Sequence, residues 1–396
     1  MSDETQHDPE QAPFEVTDVL GGPKLEDGIG LCLSGGGFRA MLFHLGSLIR
    51  LNEVGLLPAI NRISSVSGGS LAAGILAAGW SELGFANGVA TNFNAKVSEP
   101  LLRLARKHVD VPAILLGFIP FVHAANVAAG AYERTVFHSK TLRDLPDHPQ
   151  FVFTSTSLQT GVLWRFAKEY AAEWRVGKWT EPNLKLTLAV AASAGFPPLL
   201  SPTRIKPPKS SIKSWGEPST LTASAFTKRL FLTDGGVYDN LGLEPIWKRY
   251  RTLLVSDGGA ATQPIARPFT NWYSQFRRVL DVSLQQGINT RVRILHGLEK
   301  SQARTVAYWG IGKTVDSYGK GNPLEFTPQM TAEAARVPTR LTKFPRETRQ
   351  LLVRAGYAHT AAALAASRIQ IPNPLATKFD RLQNLANRTI DVNRQA

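Results

Sequence analysis

The chain has 396 residues, 43% of them hydrophobic and 19% charged, which is the balance of a globular protein with a large core. Its net charge of +14 suits a polyanionic surface or simply a well-solvated exterior. No run of five or six like charges and no nucleic-acid motif occurs, so no specific nucleic-acid partner is expected. The single cysteine, Cys32, excludes an internal disulfide and fits a reducing compartment, so a cytoplasmic protein is expected.

Residues 1–27 read as a flexible leader, with eight acidic residues and one Lys. The leader has neither a basic segment nor an apolar one, so no secretory signal is read there. Residues 261–396 hold twenty Lys/Arg against eight Asp/Glu, a basic C-terminal part. Between these, Ile29 to Leu33 is a short apolar run that predicts a buried strand. It meets Ser34-Gly35-Gly36-Gly37-Phe38-Arg39, and the stretch from Ala40 to Leu51 predicts a helix, with Met41, Leu45, Leu48 and Leu51 on one face. A second strand ends near Ser65, and a second helix follows from Leu71. The order β–α–β–α argues for an α/β fold with a parallel sheet.

Val111 to Tyr132 is strongly apolar, but Pro112, Pro120, His123 and Asn126 interrupt it. It reads as a buried helix pair or an apolar, lipid-contacting lid, and not as a transmembrane helix. Phe151 to Ser157 and Gly161 to Phe166 predict paired strands. Leu184 to Ala194 alternates at first, but its Ala-rich end favours a helix, stopped by Gly195-Phe196-Pro197-Pro198. Residues 203–228 read as an exposed excursion. Leu230 to Thr233 and Leu253 to Ser256 predict strands that end in Asp234-Gly235-Gly236 and Asp257-Gly258-Gly259. Trp272 to Leu298 predicts a long basic amphipathic helix with Gly287 as a candidate break. Thr305 to Ile311 predicts a strand, and Phe344 to Ala366 predicts two helical pieces joined near Gly356.

The chemistry centres on Ser65-Val66-Ser67-Gly68-Gly69. A nucleophile elbow needs small residues two places either side of its serine, because strand and helix pass very close there. Here Ser65 stands where the usual pattern has Gly, and Gly69 fills the other place. The Gly35-Gly36-Gly37 turn lies between a strand and a helix N-terminus, so its N–H groups can hold an anion. A phosphate loop would want Gly-Lys-Ser/Thr, which is absent. The looser dinucleotide fingerprint is met, but its acidic residue after the next strand is not. An oxyanion hole fits better, since a candidate nucleophile follows. Arg39 either holds the turn in shape or binds a lipid phosphate.

Ser67 needs a base. His296 and His359 follow in triad order, but in helical or solvated context. Asp234 ends an apolar strand before two glycines and is the better candidate, acting directly as general base if desolvation raises its pKa. Asp257 has the same form and ranks second. It lacks the polar loop Tyr238-Asp239-Asn240 that follows Asp234.

Three motifs in order resemble the patatin-like phospholipases: Gly35-Gly36-Gly37-Phe38-Arg39, the Ser67 elbow and Asp234-Gly235-Gly236. Ala192-Ser193-Ala194-Gly195-Phe196-Pro197-Pro198 is similar to the family's Ala/Ser-rich segment. The resemblance covers roughly residues 28–260. It implies a three-layer α/β/α fold with a central, mostly parallel sheet, and a helical C-terminal extension, residues 261–396, packed on it. It also implies a Ser–Asp dyad without histidine: Ser67 as nucleophile, Asp234 as base and Gly35, Gly36 and Gly37 as oxyanion hole. Arg39, Gly69, Gly235 and Gly236 would support them. No metal or cofactor is implied. The expected function is a lipid acyl hydrolase acting on glycerophospholipids or other acyl-ester lipids at an anionic membrane surface. A Ser–Asp–His esterase and a non-catalytic membrane-binding protein are the alternatives.

Overall fold

The computed structural model describes residues 25–112, 124–215, 221, 223–319 and 325–373. Most of the acidic leader, and the centre of the apolar run read as a helix pair or lid, lie outside those residues. Eleven strands form one sheet: β1 (Glu26–Leu33), β2 (Arg62–Ser65), β3 (Gln150–Ser157), β4 (Leu163–Phe166), β5 (Tyr170–Glu173), β6 (Gly177–Thr180), β7 (Thr203–Ile205), β8 (Ile212–Lys213), β9 (Leu230–Asp234), β10 (Tyr250–Asp257) and β11 (Thr305–Gly310). Their order is β8-β6-β5-β4-β3-β2-β1-β10-β11, with β9 set between β3 and β7.

The five strands from β3 to β11 run parallel. Helices cover both faces, so even the polar Ser64 and Ser65 of β2 are fully buried, as are Leu31, Cys32 and Leu33 of β1. The other strands, β4 to β9, pair antiparallel. The expected β4 partner of β3 is present. So is the β–α–β–α start: β1 leads to α1 (Gly37–Glu53), and β2 leads to α2 (Gly68–Gly79). The Ala-rich segment forms α3 (Leu186–Ser193), as its propensity predicts. The Lys- and Pro-rich excursion differs from expectation. Its Ile205 and Ile212 are buried, and they bring β7 and β8 onto the sheet.

Two predicted breaks are absent. Helix α4 (Trp272–Lys300) runs through Gly287, and α5 (Arg346–Ala366) runs through Gly356. Gly356 is a crossing point with α1. A Cβ there would lie 1.8 Å from the Phe43 carbonyl oxygen, and one at Gly46 would lie 2.0 Å from the Val353 oxygen. The two glycines let the backbones touch, and α1 is buried from Gly37 to Asn52 as a result. Among the described residues no helix is long and apolar enough to cross a membrane.

One detail of register builds the site. The first half of β3 pairs with β2, up to Ser65 opposite Phe153. The second half pairs with β9, from Asp234 opposite Ser155. Since β4 occupies the other flank of β3, β2 and β9 lie end to end along the same flank. They run toward each other and stop on either side of Thr154.

Candidate active site

Ser67 sits at the gap between those strand ends. Its φ of 52° and ψ of −119° put it in a region that a side chain rarely adopts. The bend is held from both sides. The Ser67 N–H donates to Ser193 Oγ at 3.0 Å. A Cβ on Gly68 would lie 2.0 Å from the Gly37 oxygen, and one on Gly69 would lie 2.2 Å from the Leu33 oxygen. Both positions therefore require glycine. Ser65 fits where the usual pattern has glycine because its hydroxyl is fully used. It accepts from Ser70 Oγ at 3.0 Å and donates to the Val152 carbonyl at 3.4 Å.

Asp234 arrives from the opposite direction to β2. Its antiparallel strand brings it to the end of β2 head-on. Its backbone is fixed by a bond from its N–H to the Gly195 carbonyl at 3.1 Å and one from Thr156 Oγ1 to its own carbonyl at 2.8 Å. Its Oδ1 accepts from the Gly236 N–H at 2.8 Å. Its Oδ2 is buried and has no partner within hydrogen-bonding reach. The Ser67 hydroxyl is nonetheless close enough to favour the carboxylate. Such contacts are often long before substrate binds. Burial pushes the Asp234 pKa up to about 7, against the smaller opposing pull of the Gly236 amide and the Ser67 hydroxyl.

The glycine turn faces this pair. Gly36 and Gly37 both have positive φ, 137° and 59°. Their amides take no partner among the described residues, and they open the N-terminus of α1. The Gly35 amide differs, since it donates to the Asn240 carbonyl at 2.9 Å. Gly35 is therefore required for space: a Cβ would lie 2.2 Å from Asn240 Oδ1. Arg39, in the first turn of α1, ties that helix to two other segments. Its Nε donates to the Gly258 carbonyl at 3.1 Å and its Nη1 to the Val337 carbonyl at 2.8 Å. Burial lowers its pKa to about 10, so it stays charged. His44 braces the turn from beneath, between Ser256 Oγ at 2.8 Å and the Ser34 carbonyl at 2.9 Å. Burial lowers its pKa to about 4 and keeps it neutral.

The other candidates lie elsewhere. Asp257 accepts from Tyr308 Oη at 2.9 Å and from the Gly259 amide at 2.9 Å, which ties β10 to β11. His296 is half-exposed beside Glu299. His359 is buried among Phe43, Tyr318 and Phe326, with its pKa lowered by burial to about 3. Neither histidine contacts Ser67 or Asp234. Sequence reasoning missed Ser193 and Asn240 as site residues. Ser193 receives the Ser67 amide, and its carbonyl accepts from the Gly235 amide at 3.2 Å, so one residue ties the Ser67 bend to the end of the Asp234 strand. The Asn240 side chain abuts Gly35, Gly236 and Gly259. Both lie in stretches that the sequence singled out, without a signal for their roles. Among the described residues no three His, Cys, Asp or Glu side chains gather as a metal site.

The mostly parallel sheet between helices, with a strained serine at a strand–helix bend beside a glycine-rich helix N-terminus, defines an α/β protein. The profile of the patatin-like phospholipases matches residues 31–247, more than half of the chain, and the protein belongs to that family. Ser67, Asp234 and the glycine turn all lie within the match. Human GIVD cytosolic phospholipase A2 is similar in fold, with a TM-score of 0.51 at 13% identity over 88% of this chain and 62% of that one. The same human protein in complex with methyl gamma-linolenyl fluorophosphonate gives 0.50 at 13% identity over 93% and 60%. VipD from Legionella pneumophila gives 0.33 at 13% identity over 95% and 76%. The chain thus spans under two thirds of the human enzyme, and at these identities the likeness is one of fold. The comparison with curated proteins finds no match.

Proposed function

We propose that the protein is a lipid acyl hydrolase of the phospholipase A or lysophospholipase type, with Ser67 as nucleophile and Asp234 as its base. The observation that carries this is the strained Ser67 hydroxyl against a buried carboxylate whose pKa is raised to about 7. Such a carboxyl group can both take and return a proton near neutrality. Ser67 Oγ attacks the ester carbonyl carbon while its proton passes to Asp234 Oδ2. The negative oxygen that results lies toward the Gly36 and Gly37 amides. When the C–O bond breaks, the leaving alcohol takes the proton from Asp234, and the acyl group stays on Ser67. Water then attacks that ester, giving its proton to Asp234. The fatty acid leaves as Ser67 Oγ regains the proton.

The family supports an acyl-ester lipid as substrate. In this reading residues 28–260 hold the catalytic part, 261–396 complete it and 1–27 precede it, with a cytoplasmic protein meeting an anionic membrane at its surface. Fatty-acid release from mixed phospholipid vesicles tests the assignment. Ser67→Ala and Asp234→Ala should each lower it by at least about 1000-fold with folding intact, and a fluorophosphonate probe should label Ser67. Full release by Ser67→Ala would end the proposal.

A further inference from the structure

Helix α4 is far longer than its anchorage. Its 29 residues extend about 43 Å at 1.5 Å per residue, yet only Leu295 and Leu298, near its end, are buried. Ile288, Val292 and Ile294 pack with them beside Tyr308, and Arg291 pairs with Asp239 and Glu244. The first half carries large apolar side chains on its outside. Trp272 is 80% exposed, Phe276 58% and Val279 62%, and Phe269 just before the helix is 78% exposed. A core helix would bury these residues, and a helix bridging solvent would be polar all round.

Their spacing makes them one surface. Residues 272, 276 and 279 recur at helical period and fall on one face. Tyr273 and Val282, 43% and 44% exposed, widen that face at its two edges. At 100° per residue, Arg277 and Arg278 fall about 40° beyond those edges, on either side of Asp281. An apolar face between arginine shoulders is the pattern of a helix lying in a lipid interface. The rings enter the acyl boundary and the guanidinium groups reach the phosphates. The charge agrees: residues 261–300 hold six Lys/Arg against two Asp/Glu.

We propose that Phe269, Trp272, Phe276 and Val279, flanked by Arg267, Arg277 and Arg278, form the surface that docks this protein on an anionic bilayer. The proposal rests on reading the site as a lipid acyl hydrolase and names where that enzyme meets its substrate. The same helix pins Asp239, five residues after Asp234, through Arg291. Docking surface and catalytic loop thus share one rigid element.

The test uses the full chain with vesicles of phosphatidylcholine, alone or mixed with phosphatidylglycerol. Wild type should sediment with the anionic vesicles and be released by salt. Phe276→Asp with Val279→Asp should weaken that partition at least about tenfold. Arg277→Gln with Arg278→Gln should weaken it about thirtyfold on anionic vesicles, and far less on neutral ones. Turnover of a water-soluble short-chain ester should be unchanged in both double variants, which shows that they fold. Unaltered sedimentation of either variant would overturn the proposal. So would a wild-type dimer in solution that Phe276→Asp converts to monomer, since the face would then join two copies. If wild type sediments but hydrolyses no ester, the docking surface stands and the hydrolase reading falls.

Discussion

Asp234 is held in a costly state, and its cost is measurable in two ways. Burial raises its pKa from an ordinary value near 3.8 to about 7. As the base it must be ionised, so kcat/KM should rise with pH through about 7 and level off above it. A profile flat from pH 5 to 8 would sink the assignment. The stability argument has the opposite sign. Between about pH 4 and 7 the folded state holds a proton that the unfolded state has lost, so stability falls as pH rises through that window. Asp234→Asn removes the charge but keeps an oxygen for the Gly236 amide. It should abolish turnover yet stabilise the fold at pH 8, by up to about 4 kcal/mol for a shift of about three pH units. Urea denaturation at pH 5 and pH 8 checks this, since the gain should shrink by more than half at the lower pH. Ser67 and Asp234 were legible in the sequence because each carries its glycines beside it. Ser193 and Asn240 were not. Their partners, Ser67 and Gly35, lie 126 and 205 residues away in the chain, so only the folded register shows what they do.

At the scale of elements, the strands and helices near the N-terminus followed from local pattern, because apolar runs and glycine turns alternate there. The direction of β9 did not, since a five-residue strand reads the same whichever way it pairs. Yet that direction decides the site: an antiparallel β9 meeting β2 head-on brings Asp234 to Ser67. Glycines within helices were misread for a related reason. Gly287 and Gly356 look alike in sequence and differ in what surrounds them. A Cβ on Gly287 would meet only the movable Nη1 of Arg291 at 3.4 Å, whereas one on Gly356 would strike the Phe43 backbone oxygen at 1.8 Å. Alanine should therefore act oppositely at the two sites. Gly287→Ala should stabilise by up to about 1 kcal/mol through helix propensity. Gly356→Ala should destabilise by about 3 kcal/mol or more, because α5 must move off α1. Urea midpoints of the two variants check the pair, and a stable Gly356→Ala would deny the close crossing.

The whole molecule depends on residues beyond the family match. That match ends at residue 247, and nothing in the sequence after 260 announces a catalytic role. The structure ties this part to the glycine turn. The Phe38 amide, in the first turn of α1, donates to the Arg340 carbonyl at 2.9 Å, and Arg39 donates to the Val337 carbonyl at 2.8 Å. Trp309 Nε1 donates to Ser47 Oγ at 3.0 Å, and α5 covers the side of α1 that the sheet does not. Without residues 261–396, a helix rich in Leu, Phe and Met would lose half its cover, and β10 would become an exposed apolar edge. Arg39 would lose its Val337 acceptor and the Phe38 amide its Arg340 acceptor, at about 1 kcal/mol apiece. These losses reach the few kcal/mol by which domains are stable. A fragment of residues 25–260 should therefore aggregate or elute as an expanded species, without fluorophosphonate labelling of Ser67. A compact, labelled monomer would mean that the C-terminal part is an addition to the catalytic unit rather than one of its walls.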